Sequence, residues 1–146
     1  MTLVEMHHRK PIAFGFHYKL FAARFDHPDD AATSFGLKPI GDAWRQVDRA
    51  TAKMILNILL KEDMAYSWER LPDPITRKEA DQFVSNFSEA AKFFTNGTWE
   101  AIPRESEDWR VGYGPQWHPA TDATFDGGVL ALDAESSGLL WLEDED

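Results

Sequence analysis

Thr124-Phe125-Asp126-Gly127-Gly128-Val129-Leu130-Ala131-Leu132-Asp133, a polar turn through residues 134–138, and Leu139-Leu140-Trp141-Leu142-Glu143-Asp144-Glu145-Asp146 stand in succession at the C-terminal end of the sequence. The apolar runs 129–132 and 139–142 are too short for helices and are bounded by turn-forming residues, so together they read as a β-hairpin. Neither run alternates polar with apolar. A strand that is apolar on both sides predicts a central pair covered on both faces, because a half-exposed antiparallel strand turns polar side chains to water. The architecture expected around this hairpin is α+β, with two main helices packed on an antiparallel sheet and the hairpin at its centre. At 146 residues the chain is expected to be one domain, 1–146, able to bury a core without disulfides or metal.

Upstream, Phe14, Phe16, Tyr18 and Leu20 alternate as in a strand, and Gly15 weakens a helical alternative by about 1 kcal/mol. His27-Pro28-Asp29-Asp30 reads as a break, followed by loop as far as Pro39. A helix is expected over residues 42–63: Asp42 suits its N-cap, and Trp44, Val47, Thr51, Met54 and Ile58 recur at spacings of three and four. Asn57, inside its most apolar half, reads as a hydrogen-bonded core amide. A second helix is expected to start at Thr76, whose Thr-Arg-Lys-Glu matches a capping box, and to run through Phe83, Phe87 and Phe94 to Asn96-Gly97. Residues 99–102 and 109–113 are short strand candidates. Asn96-Gly97-Thr98 spells a glycosylation sequon, set aside because no secretion signal is read at residues 1–25.

Charge is the most informative total. The net charge is −10, and it is unevenly placed. Every Lys and Arg lies at or before Arg110, whereas residues 111–146 hold eight acids: Asp122, Asp126, Asp133, Glu135, Glu143, Asp144, Glu145 and Asp146. Such a surface repels phosphate backbones, which argues against nucleic acid and for a basic protein partner or a cation. No run of about 18 apolar residues exists, so no membrane span is expected. The lack of Cys removes thiolate metal sites and Cys nucleophiles and fits a reducing cytoplasm.

Chemistry-bearing residue types are densest at His118, Thr121, Asp122, Thr124 and Asp126. An imidazole with two carboxylates suits a divalent cation or an acid–base pair, so His118, Asp122 and Asp126 are the candidate catalytic residues of a metal-dependent hydrolase, with His118 the proton carrier. Their spacing matches no zinc or calcium loop, and the same residues serve equally as turn-formers, with Gly127 and Gly128 permitting a bulge. His7-His8 reads as part of a basic end. No glycine-rich phosphate loop and no nucleophile elbow is present, so neither cofactor nor metal is expected, and a non-enzyme is favoured. The binding residues expected instead are Asp133, Glu135, Glu143 and Asp144, an anionic surface around the hairpin that steers a basic protein. A homodimer covering the second apolar face of the hairpin is a further expectation.

Residues 121–129, Thr-Asp-Ala-Thr-Phe-Asp-Gly-Gly-Val, and 140–146, Leu-Trp-Leu-Glu-Asp-Glu-Asp, resemble the close of small uncharacterised bacterial domains, some associated with toxin-immunity proteins. The resemblance covers about 26 residues of the sequence and carries no chemical motif. It implies a bacterial cytoplasmic α+β protein that neutralises a toxin by binding it, and it transfers no site residue.

Overall fold

The computed structural model describes residues 14–66, 68–100 and 115–145. Five strands, β1 Phe14–Phe21, β2 Arg45–Val47, β3 Lys92–Thr95, β4 Phe125–Leu132 and β5 Ser137–Asp144, make one antiparallel sheet in the order β1-β5-β4-β3-β2. Three helices accompany it among the described residues: α1 Pro28–Phe35, α2 Arg49–Lys61 and α3 Asp73–Val84, with a 3-10 turn at Gly41–Ala43. The fold is α+β with the β4–β5 hairpin central, as its two-sided apolar runs require. Leu132 faces Ser137 at the turn and Phe125 faces Asp144 at the open end.

Alternation along the hairpin divides its side chains between two cores. Val129, Ala131, Leu140 and Leu142 pack with Ile55, Leu56, Leu59 and Leu60 of α2 and with Ala80, Phe83 and Val84 of α3. Leu130, Leu132, Leu139 and Trp141 face the other way, against Ala31, Ala32 and Phe35 of α1 and against Leu37, Ile40 and Ala120. Each fully buried Leu contributes about 1.5–3 kcal/mol by leaving water. The second apolar face is therefore covered from within the chain rather than left for another copy.

Local chemistry moved several element boundaries. The break expected at residues 27–30 is the start of α1: His27 Nδ1 accepts from the Asp29 N–H at 3.0 Å, and Pro28 occupies the first turn, where no N–H is needed. Gly36, at φ 92°, ends that helix in the left-handed conformation its missing Cβ permits. Helix α2 is capped by Asp48, which accepts from the Thr51 N–H at 2.7 Å, not by Asp42. Residues 45–47, expected inside that helix with Val47 in its apolar stripe, instead form β2 on the edge of β3.

Helix α3 begins at Asp73, before the expected capping box. Thr76 instead donates its hydroxyl to Asn57 Oδ1 and to the Asp73 carbonyl. Asn57 is thus hydrogen-bonded as expected, but it is half-buried and borders a surface hollow with Lys53, Arg77 and Asp81 rather than lying in the core. The helix stops at Val84 because Asn86 Nδ2 donates to the carbonyls of Gln82 and Phe83, ending the backbone ladder. Phe93 and Phe94 then belong to β3, where extended backbone presents them to opposite cores. Trp99 and Glu100 lie in a turn, so the first strand candidate fails at its start; its remainder, the candidate at 109–113 and the basic end at His7-His8 lie outside the described residues.

Candidate functional site

Asp126, offered by sequence as a metal ligand or acid–base group, is fully buried near the start of β4. Its carboxylate accepts from the Ala120 N–H at 3.0 and 3.2 Å, the Thr121 N–H at 3.1 Å, Thr121 Oγ1 at 2.9 Å, Asn96 Nδ2 at 3.0 Å and Trp141 Nε1 at 3.3 Å. None of these donors is charged. The arrangement turns loop 118–121 back against the sheet, and Asn96 completes it by donating to the His118 and Asp126 carbonyls while accepting from Trp99 Nε1 at 3.1 Å. Asn96 is 2% exposed, so the sequon amide sits inside the protein and serves its architecture. Gly127 and Gly128 make no bulge. They lie in extended β4, where a Cβ on Gly127 would stand 2.6 Å from the Trp99 ring.

The other two members of the expected triad lie outside this network. His118 is exposed, held through its backbone N–H to the Asn96 carbonyl at 2.9 Å. Asp122 points to solvent and pairs with Lys38, whose hydrogen bond and charge hold that carboxyl below the usual carboxylate range. Among the described residues no three His, Asp or Glu side chains form a group able to hold a metal ion.

The four acids expected to bind a partner divide by direction. Asp144, on the α2/α3 side of β5, is buried in a two-pronged ion pair with Arg70, whose Nη1 and Nη2 donate at 2.6 and 3.0 Å. It also accepts the Met64 N–H at 3.0 Å. Asp133, at the hairpin turn, accepts from Ser88 Oγ at 2.7 Å and Ser88 N–H at 2.6 Å, and those hydrogen bonds lower its pKa. Glu135 is exposed at the same turn. Glu143 projects to the opposite side of β5 from Asp144, with its Oε2 3.5 Å from His17 Nε2 of β1.

Glu143 therefore lines a polar cavity of about 400 Å³ at the open end of the hairpin, together with His17, Lys38, Thr121, Asp122 and Glu145. Glu145 accepts from the hydroxyl and N–H of Thr124. Three carboxylates thus face one lysine and one imidazole. Reading the sequence found Asp122 and Glu143 but not Lys38, His17 or Glu145 as their neighbours, since 84 residues separate Lys38 from Asp122. The strand register supplies one usable signal: His17 faces Trp141 across β1 and β5, which puts it diagonally beside Glu143. No protein-family model, curated protein or solved structure matches this chain.

Proposed function

We propose that the domain is a non-catalytic binding protein, an immunity-type inhibitor of a basic protein, which it docks on the acidic open end of the central hairpin. The observation that supports this reading is the direction of the carboxylates there. Asp144 turns inward to Arg70, whereas Glu143, Glu145 and Asp122 border an open hollow in which Lys38 is the one lysine or arginine among the described lining residues. Fixed carboxylates around a concave surface raise the local concentration of a cationic partner and speed its arrival. Of the acids expected from sequence, Glu143 stays in the docking face. Glu135, exposed at the far turn, extends the negative field, and Asp144 supports the face from below.

The test is capture of a partner by the immobilised wild-type domain, followed by calorimetric titration of the purified partner at low and high salt. The wild type is expected to bind more weakly as salt rises, and the Glu143→Gln/Glu145→Gln/Asp122→Asn variant to bind more weakly at low salt. A partner held equally by both proteins, with no salt dependence, defeats the proposal.

A further inference from the structure

Of the three carboxylates around the hollow, two are already engaged. Asp122 is paired with Lys38, and Glu145 accepts from the hydroxyl and N–H of Thr124. Glu143 has no hydrogen-bond donor among the described residues; what stands against it is His17 Nε2 of β1, 3.5 Å from its Oε2. That separation exceeds the roughly 2.7–3.2 Å of a formed N–H···O bond. The ring nitrogen is itself buried without a hydrogen-bond partner, although the imidazole as a whole is 35% exposed. A polar atom withdrawn from water and left unpaired is costly, and this one lies beside a carboxylate oxygen that no donor serves.

The backbone brings the two side chains together. Gly15 pairs directly with Glu143 in the β1–β5 register and His17 pairs with Trp141, so His17 and Glu143 are diagonal neighbours on one face. A Cβ on Gly15 would stand 2.6 Å from Glu143 Oε2. The bare glycine therefore lets the Glu143 carboxylate lie across β1 toward the imidazole. Lys19, two residues further along the same face of β1, is engaged elsewhere, its Nζ donating to the Phe35 carbonyl at 3.0 Å. Around the hollow stand Lys38 from the loop after α1, Asp122 from the loop before β4 and Glu145 from the end of β5, while Gly36 at the end of α1 brings no charge. Among these groups only the imidazole is of a type that changes charge between about pH 5 and 8.

We infer that His17 is a proton-operated latch on the acidic docking face: on acidification its ring closes on Glu143, and the face releases its cationic partner. The inference rests on the reading proposed above and adds to it the regulation of that site. A neutral imidazole offers Glu143 no charge and only a long contact. Protonation makes both ring nitrogens donors and gives Nε2–H a charge-assisted bond to Oε2, typically about 2.7–2.9 Å long. The proton thus supplies what both atoms lack. It also halves the excess negative charge of the described lining residues, which with a neutral ring is three carboxylates against Lys38. Both side chains are partly buried, at 35% and 28% exposed, so salt screens this pair less than a surface one.

The full chain labelled with ¹³C and ¹⁵N is titrated from about pH 8 to 5 while the His17 ring and the Glu143 side-chain carboxyl carbon are followed. That carbon is expected to shift in step with the ring, ahead of ordinary carboxylate protonation near about pH 4. The step should vanish in His17→Gln and shrink in Gly15→Ala, where the added Cβ displaces the carboxylate but both groups remain. In parallel, an N-acetylated hexa-lysine amide is titrated at about pH 7.5 and 5.5 at fixed salt. Wild type should bind about fivefold more weakly at the lower pH, and His17→Gln should change by less than about twofold. A Glu143 carbon that ignores the ring overturns the latch, as does a wild type that responds to pH no more than His17→Gln. A peptide that binds neither protein at the higher pH sinks the docking face and the release with it, while the carboxyl shift still decides whether the latch closes.

Discussion

Asp126 and Asp144 lie on neighbouring strands at the same end of the central hairpin, and each fastens one face of the sheet by a different chemistry. Asp144 meets a full positive charge. Arg70 reaches it while also donating to the carbonyls of Leu59 at 2.8 Å and Glu62 at 3.1 Å, at the C-terminal end of α2. Asp126 meets only neutral N–H and O–H donors from loop 118–121 and from Asn96 and Trp141. The difference follows from what each side has to offer. A helix C-terminus leaves carbonyls without donors and carries partial negative charge, so a carboxylate joins it only through a cation. A loop folded against a sheet leaves N–H groups without acceptors, and a bare carboxylate satisfies several at once.

The comparison breaks most readily at Arg70. Arg70→Met leaves Asp144 buried without its cation and is expected to cost about 3–5 kcal/mol in urea unfolding. The double variant Arg70→Met/Asp144→Leu should recover most of that loss; if it is as unstable as the single variant, charge pairing is not what closes this face. Asp126→Asn comes next. It keeps the shape but turns an amide NH₂ toward existing donors, at about 2–3 kcal/mol for the groups left unpaired. Equal stability of Asp126→Asn and wild type would show that water or another group replaces the carboxylate.

Smaller effects sharpen the contrast. Trp99 packs on Gly127 on the α2/α3 side and hydrogen-bonds Asn96, so Asp126's network reaches through the sheet. Gly127→Ala is expected to cost about 1–3 kcal/mol by displacing that indole, and a shift of the Trp99 side-chain N–H resonance without change at Trp68 would locate the strain.

The α1 side should also be the more acid-sensitive at Asp29. Burial pushes its carboxyl up, but hydrogen bonds from Trp44 Nε1, Gly41 and Ile40 outweigh it and leave the pKa lowered. A lowered folded value contributes stability above the unfolded value of about 3.9, and that stability is lost as pH falls through the folded value. Melting curves from pH 6 down to 3 should therefore fall more steeply for wild type than for Asp29→Asn. Parallel curves would remove Asp29 from the account.

The fold was legible where burial leaves a pattern of its own. The hairpin's centrality could be read from Val129–Leu132 and Leu139–Leu142 because only a strand covered twice lacks a polar side. Helix boundaries were less legible, since Phe87 and Phe94 share a spacing by chance while the hydrogen bonds of Asn86 decide where α3 stops. At the candidate site, sequence named the carboxylates but not their directions. Glu143 and Asp144 are consecutive and acidic, and only the register of β5 sends one to a cavity and the other to a buried arginine. Arg70 gives no local sign that its partner lies 74 residues away.

The order β1-β5-β4-β3-β2 also has a consequence for biosynthesis. The two strands that every layer leans on leave the ribosome after all the other described elements, so the earlier helices emerge with their greasy sides unclaimed. Assembly has to wait for distant pairings such as Phe16 with Leu142, a topology that folds slowly and leaves nascent chains prone to clumping. A message truncated before Ser137 would lose a strand next to the middle of the sheet rather than its fringe.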